Sequence, residues 1–112
     1  MAAFRFDPDK LADALERAGY DADPTPPGVT QLSARREGVA GGVAVVVVDG
    51  GGRLRFTLTR DVAPEQARDV TLGGRTYHLV DTTTRTTVAL LTLTSAAELA
   101  TCLADLERAA AG

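Results

Sequence analysis

Apolar positions recur every three to four residues near both ends of the chain and every second residue between them, so two helices bracket a sheet. Leu11, Ala14, Leu15 and Ala18 form a one-sided stripe, and Asp9, Lys10, Asp13, Glu16 and Arg17 take the other side. This predicts an amphipathic helix over 7–19. Asp7 can accept the free amides of its first turn, Pro8 loses no hydrogen bond at the next position, and Gly19 closes the helix. Residues 21–28 carry Pro24, Pro26 and Pro27, which remove donors and favour extended geometry, and they read as a stiff surface connector.

Residues 29–94 read as strand after strand. A weak β segment over 29–36 is followed by Gly38, Gly41 and Gly42, and then Val43 through Val48 give the strongest β signal. Asp49, Gly50, Gly51 and Gly52 turn the chain, and the return strand alternates with Leu54, Phe56 and Leu58 on one face and Arg53, Arg55, Thr57 and Thr59 on the other. A single helical turn is expected within 61–69. Val70 to Leu72 and Thr76 to Val80 then form a hairpin across Gly73 and Gly74, a pair suited to the two positive φ angles of a tight turn. Thr84 to Thr94 form another strand, and Ser95 and Glu98 have the spacing of a capping box for a helix over 95–110. Leu99, Cys102, Leu103, Leu106 and Ala110 line one side of that helix.

The expected architecture is one α+β domain: an antiparallel meander of about five to six strands flanked by an N-terminal and a C-terminal amphipathic helix. The length of 112 residues agrees with a single domain that buries roughly two-thirds of its unfolded surface. Two strands, Val43 to Val48 and Val88 to Leu93, are apolar at both parities, whereas a half-solvated antiparallel sheet alternates. Both faces of the sheet centre therefore need cover. Either the helices lie on opposite faces, or both lie on one face and the other meets a second copy, a partner or an apolar ligand. In the second case Val43, Val45, Val46, Val47, Val48, Val88 and Leu90 are the candidate contact residues.

Composition narrows the chemistry. The net charge of −3 lacks the basic surplus of a nonspecific nucleic-acid binder, so nucleic acid is not an expected partner. Arginines outnumber the single Lys10, and Ile and Asn are absent, a pattern of high-GC bacterial composition that weakens arginine as a sign of phosphate binding. One cysteine, Cys102, excludes an internal disulfide framework and points to a reducing, cytoplasmic address; it falls on the apolar helical stripe and reads as a small core residue. No apolar stretch follows Met1, so neither a secretory leader nor a membrane span is expected. No metal site and no cofactor are expected, because His78 is the only histidine and has no second ligand at metal spacing. The acidic pairs Asp7/Asp9 and Asp21/Asp23 are explained by capping and turn geometry, and the glycine clusters lack the Lys and Ser or Thr of a phosphate loop.

No residues suggest catalysis beyond a loose set. A pocket between the sheet and the C-terminal helix would use His78 and Tyr77 with an arginine, as a small-molecule binder or enzyme. A polar sheet face would combine Arg53, Arg55, Arg75 and Arg85 with threonine hydroxyls, as an anion or nucleic-acid surface. The order of elements, helix, strands and helix, resembles the small acidic secretion-chaperone-like α+β domains. That resemblance spans most of the chain and implies helices on one side of the sheet, paired copies and a non-catalytic protein-binding role. The sequence reading is accordingly a non-catalytic protein-binding or adaptor/chaperone-like module acting as a homodimer through an apolar sheet face, with the pocket enzyme or small-molecule binder and the anion or nucleic-acid surface as its alternatives.

Overall fold

In the computed structural model, residues 4–61, 67–82 and 84–111 are described. The chain runs α1 (Pro8–Arg17), β1 (Asp21–Ala22), β2 (Gln31–Val39), β3 (Gly42–Asp49), β4 (Arg53–Thr59), β5 (Arg68–Leu72), β6 (Arg75–Asp81), β7 (Thr86–Thr92), a 3-10 turn (Ala96–Glu98) and α2 (Leu99–Ala111). All strands form one antiparallel sheet in the order β1-β2-β3-β4-β7-β6-β5. The fold is therefore α+β, as the apolar pattern indicates.

Strand count and strand order both differ from the sequence expectation. The sheet has 7 strands, because Asp21 and Ala22 in the proline-rich connector pair with Arg35 and Ala34 as a short edge strand. Nor is it a single meander: β4 pairs with β7, not β5, so two meanders meet at the β4–β7 seam. The physical reason lies in the residues paired there. The apolar β7 sets Ala89 opposite Phe56 and Leu90 opposite Arg55, whereas the short β5 carries Asp69 and Thr71 and suits an edge. The helical turn expected within 61–69 falls largely on 62–66, outside the described residues; Arg68 and Asp69 belong to β5.

Local chemistry explains the boundaries. The Lys10 amide donates to Asp7 Oδ1 at 3.2 Å at the start of α1, and Gly19 at φ 89° ends that helix. Gly73 and Gly74, at φ 58° and 80°, supply the tight hairpin turn. Gly52, at φ 79°, has no room for a side chain, since a Cβ there would lie 2.8 Å from the Leu93 carbonyl oxygen. The capping box is displaced by one residue: Ser95 makes no side-chain cap bond, and the Glu98 carboxylate accepts instead from the backbone amide and hydroxyl of Thr94. A 3-10 turn begins this segment, so Ser95 sits too far back to reach the amides of α2.

Both helices cover the same face of the sheet. Leu32, Ala34, Ala44, Val46, Val48, Leu54, Phe56, Leu58, Tyr77, Leu79 and Ala89 project to that side and are buried against Leu11 and Leu15 of α1 and Leu99, Leu103 and Leu106 of α2. Polar anchors fix the helices across this layer. Tyr20 donates to Glu107 Oε1 at 3.4 Å, the Arg36 guanidinium also donates to Glu107, and Tyr77 donates to the buried Asp105 carboxylate at 2.7 Å. Arg75 reaches Glu98 at 3.2 Å and the Cys102 sulfur at 2.9 Å, and burial pushes the Cys102 thiol pKa up. Among the described residues no helix is long and apolar enough to cross a membrane.

Candidate functional site

With the helices on one side, the second face of the sheet is open. Strand alternation decides which residues occupy it. On β3 these are Val43, Val45 and Val47; on β4, Arg53, Arg55, Thr57 and Thr59; on β7, Thr86, Val88 and Leu90; on β6, Thr76, His78 and Val80. Arg35 and Glu37 of β2 and Asp69 of β5 flank them.

The backbone register sets these side chains in lines across the strands. One line runs Asp21, Arg35, Val45, Thr57, Val88, Val80. The next runs Ser33, Val47, Arg55, Leu90. Leu90 is 69% exposed, and Val45 and Val80 are 37% and 39% exposed, so the sheet centre presents aliphatic side chains to solvent. Val45 on β3 is separated from Leu90 on β7 and Val80 on β6 by Arg55 and Thr57 of β4, so the exposed aliphatics are interleaved with polar side chains.

The face also carries charge of both signs. Arg35, Arg53 and Arg55 share it with Asp21, Glu37, Asp49 and Asp69. Arg53 is committed to Asp49 at 2.8 Å, and the Asp49 carboxylate also accepts the amides of Gly51 and Arg53 at 2.9 and 3.1 Å. Desolvation raises the Asp49 pKa, and the amide bonds from Arg53 and Gly51 together with the Arg53 guanidinium outweigh it and hold the carboxyl below its usual range. Arg35 makes an exposed pair with Glu37 at 3.4 Å, and His78 Nδ1 contacts Asp69. Arg55 has no acceptor among the described residues. It stands between Val47 and Leu90, on the wall of a shallow depression of about 520 Å³ that Arg53 and Thr92 also line.

The residues named from sequence for a ligand pocket are not brought together. Tyr77 and Arg75 project to the helix-covered face, where Asp105 and Glu98 take their donors. His78, Arg53 and Arg55 lie on the open face, and Arg85 sits in the β6–β7 loop against Asp61. His78 and Tyr77 are adjacent on one strand and so point to opposite faces; no pocket between sheet and α2 can use both. Two contact residues named from sequence also belong elsewhere. Val46 and Val48 are fully buried beneath the helices, because they share parity with the Ala44 that faces Leu58. Val80 takes a place on the open face, where the register of β6 against β7 sets it beside Val88. Its parity with His78, opposite to Tyr77 and Leu79, is the sequence signal that points there.

No family model, curated protein or solved structure matches this chain.

Proposed function

We propose that the chain is a non-catalytic protein-binding module that acts as a homodimer, with the open sheet face as its contact surface. One observation carries this reading: both helices lie on one face, and the other presents Val45, Val80 and Leu90 to solvent around the half-buried Val88. Area supports a second copy as the occupant. Six strands from β2 to β5, about 4.8 Å apart, and roughly 20 Å of strand length give on the order of 550 Å² of flat face. Side-chain relief brings that near the ~800 Å² per partner of a stable interface. Charge supports it as well. The arginines and carboxylates of the face are interspersed, so a second copy meets no field of a single sign, whereas a strongly acidic or basic partner would call for a face of one sign.

Sedimentation equilibrium of the native chain and of Leu90→Arg tests the reading. A dimeric native chain and a monomeric variant with unchanged circular dichroism are expected. A native chain that stays monomeric at high micromolar concentration would overturn it, as would a variant that dimerises as well as the native chain.

A second reading rests on Arg55, whose guanidinium opens onto the depression without an acceptor among the described residues. It would accept an anion, with the neighbouring Arg53 and the Thr92 hydroxyl at the rim. Binding of such an anion would weaken steeply with salt; salt-independent or absent binding removes this reading.

A further inference from the structure

Resting on the anion reading of Arg55 above and not on the homodimer, we infer that the depression beside Arg55 takes an aliphatic monocarboxylate. Its head lies on the Arg55 guanidinium and its alkyl chain over Leu90, Val88 and Val80. Among the described residues of the open face, Arg53 is paired with Asp49, Arg35 with Glu37 and His78 with Asp69. Arg55 alone of these basic side chains has no carboxylate, so it is the one with a charge left to offer a ligand.

The register lays out the depression. Arg53 lies level with Thr92, and two residues along β4 Arg55 lies between Val47 and Leu90. Asp49 completes the first row through its 2.8 Å bond from Arg53. The space between the rows, about 520 Å³, falls within the roughly 300–1,000 Å³ of small-molecule sites. Charge selects the head group. The Arg53–Asp49 pair is neutral as a unit, so an incoming anion meets one free positive charge. A carboxylate matches that charge and can accept two parallel N–H bonds from a guanidinium. A phosphate dianion would bring a second negative charge with no free cation to meet it and the Asp49 carboxylate on the same wall.

The apolar neighbours select the rest of the molecule. One strand step from Arg55 leads to Leu90, 69% exposed, and two residues along β7 lead to Val88, which pairs with Val80. At about 4.8 Å between strands and 3.4 Å per residue, the path from Arg55 to Val88 is roughly 12 Å, a span for an extended alkyl chain. Lying there, the chain removes aliphatic surface of β7 and β6 from water. On the other side of Arg55 the exposed Val45 is flanked by Arg35 and Thr57, so a chain laid over it would run between polar side chains. A peptide fits less well than an alkyl chain. β4 and β7 are interior strands whose backbone groups pair within the sheet, so a peptide's amides would find no free strand edge.

Equilibrium dialysis of labelled sodium decanoate against the native chain at low salt, below the micelle concentration, tests the assignment. Decanoate should be retained saturably. Decyltrimethylammonium, the same tail with the opposite charge, should bind about tenfold or more weakly, and inorganic phosphate should neither be retained nor displace decanoate. Arg55→Met keeps an unbranched stem at an exposed position and removes the charge, so decanoate should weaken about tenfold or more with circular dichroism unchanged. Leu90→Ser should weaken it as well, and Lys10→Met, on α1, should leave it unaltered. Phosphate retained through Arg55 while decanoate is not would overturn the monocarboxylate and leave the anion reading standing. Retention of neither anion would overturn both. So would decanoate held as well by Arg55→Met as by the native chain, or decyltrimethylammonium held as well as decanoate, because the aliphatic patch alone would then account for binding.

Discussion

Val45 and Val46 are neighbours in sequence with identical side chains, and the fold gives them opposite environments, 37% exposed against fully buried. Replacing each in turn by threonine, nearly the same shape with one methyl exchanged for a hydroxyl, measures the two faces of the sheet separately. Val46 lies between Ala34 and Phe56 in the register, with no polar side chain beside it to accept the new hydroxyl. Burying an unpaired hydroxyl costs about 1–3 kcal/mol. For a domain of 112 residues that lowers Tm by roughly 4–12 °C. Val45→Thr exposes its hydroxyl to water and keeps a β-branched residue in the strand, so the monomer should change by less than about 0.5 kcal/mol. Urea unfolding of both variants, at protein concentrations low enough to dissociate any dimer, gives the comparison directly. Equal losses at the two positions would refute the reasoning, because they would mean that both faces are covered within one chain.

Two further outcomes follow from backbone and burial. Ala40 sits at φ 49° beside Gly41 at φ 84° in the β2–β3 turn, a conformation that suits Asn-Gly better than Ala-Gly; Ala40→Asn should raise unfolding free energy by about 0.5–1 kcal/mol, and a loss in urea unfolding would contradict that turn geometry. Desolvation raises the phenol pKa of both Tyr20 and Tyr77, helped by Glu107 beside the first and the Asp105 hydrogen bond on the second. A phenol pKa raised in the folded state leaves stability intact below the unfolded value of about 10 and removes it as pH climbs past that value. Urea midpoints should therefore hold from pH 7 to 9 and drop by pH 11, with a shallower drop in Tyr77→Phe; a midpoint indifferent to alkali would contradict the burial of these rings.

Much of this fold was legible in the chain. The 3.6-residue stripes of both helices, the Asp7 cap, the Gly73–Gly74 turn and the clean alternation of β4 all follow from local physics and recur in the structure. What was hidden is long-range. A run of four valines, Val45 to Val48, gives no parity by itself; only pairing with Leu54, Phe56 and Leu58 assigns Val46 and Val48 to the helices and leaves Val45 and Val47 outside. Likewise the two strands apolar on both faces, β3 and β7, flank β4, and no local signal in β7 specifies that neighbour over β5. Thr94 displaces Ser95 as the partner of Glu98 because the segment starts as a 3-10 turn, a difference of one residue that spacing rules do not resolve. The open face itself was visible as an excess of apolar positions, but which face the helices leave bare is a property of packing.

Solution mass by light scattering over a concentration series tests the central claim, that the bare sheet face is a contact surface between two copies, most directly. The account expects the mass to rise with concentration from the 11.7 kDa of one chain to about twice that value and to stop there, since a closed two-fold contact leaves no second copy of the face exposed. A mass that stays at one chain throughout would contradict it, and so would growth without limit, which would mean that the contact does not close on itself.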